Sequence, residues 1–145
     1  MGRIVVGVDG SEHSVAALRW AVEEAKLRNA QVEAVISWQY PVYAADPIGA
    51  TAISSLDPEL VRDGARRALE EAIAAADAGP APVTPVVLEG SAGHALIETA
   101  RGAELLVVGS RGHGGFAGLL LGSVSTQCVH HAPCPVVVVR PAKLD

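Results

Sequence analysis

Aromatic residues are scarce in this 145-residue chain: two Trp, two Tyr and one Phe make up 3% of it, although hydrophobic residues make up 50%. The core must therefore be built from Val, Leu, Ile and Ala. The hydrophobic content excludes an intrinsically disordered chain, which buries too little apolar surface to fold. The length fits one domain, residues 1–145, with a core of its own.

Long apolar runs are missing as well. No run reaches the roughly 18 residues that a membrane helix needs, so we expect no membrane association. The apolar run near the N-terminus is too short for a secretory signal and meets Asp9. Cys128 and Cys134 are the only cysteines, too few for a disulfide framework and suited to a reducing compartment. We therefore expect a cytoplasmic protein.

Acidic residues are absent from the C-terminal part. The chain has 16 Asp and Glu and a net charge of −5, yet none of them lies between Leu105 and Leu144. The overall negative charge argues against a nucleic-acid partner, which needs a basic face. The acid-free tract, with Arg111 and Arg140, is receptive to anions. Alternatively, buried strands and a glycine-rich loop have little use for carboxylates, and charge alone does not decide between the two.

Several phosphate-binding and catalytic motifs are missing. Without Gly-x4-Gly-Lys-Ser/Thr the chain is not a P-loop NTPase. The first predicted strand-to-helix turn lacks Gly-x-Gly-x-x-Gly, which weakens a dinucleotide interpretation, and there is no Gly-x-Ser-x-Gly nucleophile elbow. No catalytic residue is predicted.

What is present is an alternation of strand and helix patterns, which implies a parallel sheet with right-handed crossovers. Short β-branched runs indicate strands, and apolar residues at helical spacing indicate helices. Ser11 and Asp57 are predicted helix N-caps. The strands are predicted over residues 3–8, 31–37, 82–88, 105–108 and 135–139, and the helices over residues 12–28, 58–78, 92–101 and 123–131.

The stretch from Leu105 to Ser125 reads as a buried strand, a glycine-rich loop and a helix start that carries serine hydroxyls. Gly109, Gly112 and Gly122 let main-chain amides approach a phosphate, and the amides and dipole of a helix start favour an anion. The Ser123 and Ser125 hydroxyls would close on the same phosphates. We interpret this stretch as a nucleotide phosphate site.

Three further side chains could have either a ligand role or a structural one. Asp9, at the predicted end of the first strand, could hold ribose hydroxyls or a phosphate-bound Mg²⁺, or it could stabilise the following turn. Arg111 could clamp a phosphate or be a solvated surface residue. His113 could add a donor or remain in solvent.

The spacing Gly109-x2-Gly112-x9-Gly122-Ser123 resembles the ATP-binding signature of the universal stress protein family. Residues 3–11 also resemble the first strand and turn of that family. The resemblance implies an α/β, Rossmann-like open five-stranded parallel sheet of order 3-2-1-4-5 with helices on both faces. Ligands would bind in the crevice between the first and fourth strands, where the winding reverses.

The resemblance further implies ATP with Mg²⁺ as ligands, with Asp9 as the possible magnesium contact and with main-chain contacts to adenine near the second strand. It also implies a homodimer that pairs through the last strand, residues Val136, Val137, Val138 and Val139. The predicted nucleotide-site residues are Gly7, Asp9, Ser11, Val35, Ile36, Val108, Gly109, Arg111, Gly112, His113, Gly122, Ser123, Val124 and Ser125.

The principal hypothesis is an ATP-binding regulatory module of the stress response. Two other functions stay open. One is a slow ATPase or phosphotransferase at the same site, for which His113 is the only candidate base. The other is a dimeric interaction protein that works without nucleotide.

Overall fold

Five strands and four helices form in the part of the chain that the computed structural model describes, residues 2–39, 57–79, 81–112 and 121–141. All the predicted elements are present, with ends that shift by two residues at most. In chain order they are β1 Arg3–Gly7, α1 Glu12–Arg28, β2 Gln31–Trp38, α2 Pro58–Ala76, β3 Val83–Glu89, α3 Ala92–Thr99, β4 Leu105–Gly109, α4 Ser123–His131 and β5 Val136–Val139.

The strands form one parallel sheet in the order β3-β2-β1-β4-β5, which confirms the predicted order. The central strand β1 pairs with β2 on one side and with β4 on the other. The winding direction reverses between β1 and β4. The connections that leave these two strands therefore diverge and open a crevice at the carboxyl end of the sheet.

Helices cover both faces of the sheet. Successive strand residues point to opposite faces, so neighbouring residues of one strand belong to different core clusters. Ile4 and Val6 of β1 belong to a core cluster that includes residues of α1 and α2. Val5, between them, belongs to a second cluster with Leu96 of α3 and Cys128 of α4. The core is aliphatic, as the composition predicts, and these strand residues are fully buried.

Two predicted helix starts are confirmed. The Ser11 hydroxyl accepts a hydrogen bond from the Ser14 amide at 3.2 Å and so caps α1. The Asp57 carboxylate accepts from the Glu59 amide at 3.0 Å, and Pro58 is the first residue of α2. The Ser11 cap fixes the start of α1 directly after β1, beside the crevice.

The edge strands are β3 and β5. Pro85, which cannot donate a ladder hydrogen bond, lies in edge strand β3 opposite Ala34. All four valines of β5 are half-buried. Among the described helices, none has the length and apolar character needed to cross a membrane.

Candidate functional site

A cavity of about 410 Å³ lies at the carboxyl end of the sheet, in the crevice between β1 and β4. This volume falls within the range of small-ligand sites. Among the described residues, its walls come from the ends of β1, β2 and β4, from the starts of α1 and α3 and from the first turn of α4. The lining residues are Gly7, Val8, Asp9, Ser14, Val35, Ser37, Ala92, Leu96, Val108, Gly109, Arg111, Gly112, Gly122, Ser123, Val124 and Ser125.

One wall of the cavity is apolar. Val35, Leu96 and Val108 line it, and each is less than 5% exposed. The absence of a side chain at Gly7 lets Leu96 pack against β1, because a Cβ on residue 7 would lie 2.7 Å from Leu96 Cδ1. Such a surface suits the flat, apolar face of a ligand ring.

Asp9 lies in the turn between β1 and α1. Its Oδ1 accepts a hydrogen bond from the Ser11 amide at 2.8 Å, and its own amide donates to the Ser14 hydroxyl at 3.2 Å. The turn role that the sequence left open is therefore present. The same residue lines the cavity, and an ionised carboxylate accepts several hydrogen bonds, so the turn role is compatible with ligand contact.

The N-cap residue of α4 makes no side-chain hydrogen bond to the helix start. Gly122 is the N-cap residue, and the first amides of a helix have no acceptor within the helix itself. The Gly122 amide donates to the Ser110 carbonyl at 2.7 Å, which ties the helix start to the end of β4. Because Ser123, Val124 and Ser125 line the cavity, the amides of this turn and the helix dipole form a potential anion site there.

The Ser125 hydroxyl has partners within the protein. Its one hydrogen is shared between the Ser110 carbonyl, 3.1 Å from the hydroxyl oxygen, and the Gly122 carbonyl, 3.0 Å from it. Ser125 is 2% exposed. The prediction that this hydroxyl binds phosphate therefore differs from its hydrogen bonding in the structure, where it holds the first turn of α4 in place.

Two motif glycines lie directly against other parts of the chain. A Cβ on Gly109 would lie 2.8 Å from the main-chain carbonyl of His13 in α1. A Cβ on Gly112 would overlap Oδ2 of Asp9. On the sequence alone, these glycines are explained by the close approach of a phosphate to the main chain. The structure adds a second reason, which is that the protein's own atoms already occupy the space of a side chain.

Ser110 connects three elements around the cavity. Its hydroxyl lies 3.1 Å from Nδ1 of His13 in α1, and its amide donates to the Val139 carbonyl of β5 at 2.9 Å. Its carbonyl accepts the two hydrogen bonds from the start of α4 described above. Ser110 is 3% exposed. It therefore fixes the first turn of α4 relative to the sheet.

The charges around the cavity are few and of both signs. Among its described lining residues, Asp9 is the one acidic group and Arg111 the one basic group. Both follow strands at the crevice, Asp9 after β1 and Arg111 after β4. A ligand with an anionic end and a hydroxylated middle could contact both groups.

Most of the predicted site residues lie around this one cavity, with three exceptions. Ile36 does not line it, because it alternates with Val35 along β2 and is buried in the cluster on the opposite face of the sheet. Ser11 does not line it either, since its hydroxyl caps α1. His113 lies outside the described residues.

Five lining residues were not predicted: Val8, Ser14, Ser37, Ala92 and Leu96. The sequence did contain a signal for Ser37, because it comes near the end of a parallel strand and so lies at the same edge as Asp9. Leu96 had no such signal. It reaches the cavity through the packing of α3 on the sheet, which strand and helix patterns do not specify.

The model of the universal stress protein family matches residues 1–140. The chain belongs to this family. A universal stress protein of Mycolicibacterium smegmatis is 37% identical over 149 aligned residues, which cover 94% of this chain and 47% of that protein. The chain thus spans about half the length of the curated relatives it matches.

Solved structures of universal stress proteins have the same fold. The chain is similar to the universal stress protein UspA from Lactobacillus plantarum, with a TM-score of 0.79 and 25% identity over 96% of this chain and 97% of that one. It is also similar to a universal stress protein crystallised in complex with cAMP, with a TM-score of 0.71 and 27% identity over 97% of this chain and 98% of that one.

Proposed function

We propose that this universal stress protein binds an adenine nucleotide, ATP together with Mg²⁺, in the cavity between β1 and β4, and that nucleotide occupancy regulates its contacts with partners. The observation that carries the proposal is the start of α4, where the N-cap residue Gly122 has no capping side chain and the first turn lines a cavity at which the strand order reverses. Helix starts at such points are favourable sites for nucleotide phosphates.

The phosphates would lie against the amides of Ser123, Val124 and Ser125. Arg111, on the same side of the cavity, would add a charge-assisted hydrogen bond. The absence of acidic residues from position 105 to position 144 leaves this side without a carboxylate that would repel a polyphosphate.

Magnesium fits the cavity as a partner of the phosphates rather than in a protein cage. Among the described residues, no group of three or more His, Cys, Asp or Glu is placed to hold a metal ion. Mg²⁺ is commonly held by one or two carboxylates together with substrate phosphates. Asp9, the one acidic residue of the described lining, is the group that would contact either the ion or the ribose.

The base would lie against the apolar wall formed by Val35, Leu96 and Val108. The cAMP bound in the similar universal stress protein structure supports an adenine nucleotide over another ring-bearing anion. Ser37, at the end of β2, supplies a hydroxyl at the same cavity.

The proposal is tested by calorimetric titration of nucleotide-free protein with ATP and Mg²⁺, and by analysis of nucleotide released from freshly purified protein. Asp9→Ala and Gly122→Val are expected to bind at least about tenfold more weakly, because each loses a contact or a close approach. Gly64→Ala is the matched control, since its Cβ would meet nothing within 4 Å. Wild-type protein that neither retains nor binds adenine nucleotide would overturn the proposal.

We also propose that two copies of the chain pair through β5. This strand is at the edge of the sheet and consists of four valines, and an apolar edge favours pairing with another chain. Its last residue, Val139, accepts the hydrogen bond from Ser110. That contact offers a physical link between the nucleotide site and the edge. A cytoplasmic location stays a prediction.

A further inference from the structure

The carbonyl oxygen of Ser110 accepts two hydrogen bonds from the start of α4. The Gly122 amide donates to it at 2.7 Å and the Ser125 hydroxyl at 3.1 Å. Ser110 directly follows β4, which pairs with both β1 and β5. The first turn of α4 is thus attached to the sheet through one buried atom.

The Ser125 hydroxyl also makes a contact within its own helix. It donates at 3.0 Å to the Gly122 carbonyl, three residues earlier. Serine and threonine side chains in helices make this kind of bond to a preceding carbonyl. Because Ser125 is 2% exposed, bulk water competes little for the hydroxyl hydrogen.

We infer that Ser125 is a positioning residue of the nucleotide site and not a phosphate ligand. A hydroxyl has one hydrogen to donate, and both acceptors that it meets here belong to the protein. On α4, the donors that remain for an anion are the main-chain amides of the first turn and the hydroxyl of Ser123, which is exposed. Ser125 sets where those donors lie.

The role assigned to the amides rests on the proposed nucleotide function, whereas the attachment of α4 by Ser125 does not. The two parts are therefore tested by different measurements. Amide hydrogen exchange at Gly122, whose amide donates to the Ser110 carbonyl, reports the attachment in nucleotide-free protein. Calorimetry with ATP and Mg²⁺ reports its effect on binding.

Three variants separate positioning from direct contact. Ser125→Ala removes the hydroxyl. Ser125→Thr restores it, since a threonine Oγ in a helix can bond the same preceding carbonyl. Thr126→Ala is the matched control, because it removes an exposed hydroxyl from the next residue of the same turn. Ser125→Cys, which keeps the volume with a weaker donor, serves the same comparison if alanine destabilises the chain.

In Ser125→Ala, exchange of the Gly122 amide is expected to be about tenfold faster while exchange in β1 and β4 stays unchanged. ATP affinity is expected to fall about tenfold. Ser125→Thr should restore both values towards those of the wild type, and Thr126→Ala should change neither.

Loss of ATP affinity in Ser125→Ala with wild-type exchange would show that the hydroxyl is a direct ligand, and the inference would be wrong. Unchanged exchange together with unchanged affinity would also overturn it. Faster exchange in a protein whose wild-type form binds no ATP would support the attachment by Ser125 and contradict the proposed function instead.

Discussion

The carboxylate of Asp9 lies so close to Gly112 that a methyl group on residue 112 would overlap Asp9 Oδ2. Asp9 follows β1 and Gly112 follows β4, so this contact joins the two sides of the crevice. The side chain of Asp9 can hold its place at the cavity only because residue 112 has no side chain. The first strand-to-helix turn and the glycine motif, far apart in sequence, therefore form one site.

Gly112→Ala is expected to weaken ATP binding about tenfold, because the added methyl group displaces the Asp9 carboxylate. If displacement of Asp9 is the cause, Gly112→Ala should have little further effect in an Asp9→Ala background. Calorimetry on the two single variants and the double variant measures this coupling. Independent, additive losses would contradict the account.

Gly64→Ala provides the control for adding a methyl group. Gly64 lies within α2, and its Cβ would meet nothing within 4 Å. Alanine in a helix is favoured over glycine by about 0.8–1 kcal/mol, so the free energy of unfolding should rise by up to that amount. ATP affinity should not change. Weaker binding in this variant would mean that the Gly112 result is not specific to the cavity.

Gly109→Ala should lower the stability of the fold itself. The new methyl group would lie 2.8 Å from the main-chain carbonyl of His13, and a helix backbone cannot rotate away as a flexible side chain can. Overpacking of this kind costs about 1–3 kcal/mol. Urea denaturation without nucleotide checks the expected loss. An unchanged free energy of unfolding would show that α1 moves freely away from β4.

A proline at Val138, a residue whose N–H points away from β4, tests pairing through β5. The Pro135 and Val139 carbonyls point towards β4, where they accept hydrogen bonds from the Leu106 and Ser110 amides. Main-chain groups alternate in direction along a strand, so the N–H and C=O of Val138 point to the open edge. Val138→Pro should weaken the homodimer in sedimentation experiments. Val138→Ala keeps the N–H and should remain dimeric. A wild-type monomer, or a proline variant that dimerises normally, would contradict pairing through this edge.

Stability should fall at alkaline pH because of Cys128. Burial raises the pKa of this thiol from 9.0 to about 11. Between these values the unfolded chain loses the thiol proton while the folded chain keeps it, so the free energy of unfolding decreases as pH rises. The decrease from this group is at most about 1.4 kcal/mol per pH unit.

Urea denaturation between pH 8.5 and 11 checks this dependence. Cys128→Ala should have a weaker pH dependence than the wild type across that window. It would not remove the dependence completely, because burial also raises the pKa of Cys134. Equal slopes for the wild type and the variant would contradict the assignment to Cys128.

The strands and helices could be predicted from the sequence, because local patterns determine them. Short β-branched runs such as Leu105–Val108 are typical of buried strands, and Ser11 and Asp57 have the side chains that start helices. The sheet order came from the resemblance, and with it the crevice between the first and fourth strands. The rule that ligands bind where the winding reverses then located the site.

The parts of the site that could not be predicted depend on contacts between distant residues. Val35 and Ile36 alternate along β2, so only one of them can face the cavity, and which one does so depends on which helices cover each face of the sheet. Ser125 has a hydroxyl suited to a phosphate, yet its orientation is set by the carbonyl of Ser110, fifteen residues earlier. A local sequence pattern cannot predict a hydrogen bond to a residue that is distant in the chain.

The central claim is that the amides at the start of α4 bind nucleotide phosphates, and an NMR titration of ¹⁵N-labelled protein with ATP and Mg²⁺ tests it most directly. The account predicts saturable shifts of the Ser123, Val124 and Ser125 amides, with smaller shifts near Asp9 and Val35. Inorganic triphosphate should reproduce the α4 shifts but not those near Val35. Saturation with ATP that leaves the α4 amides unshifted, or no shift at all, would contradict the account.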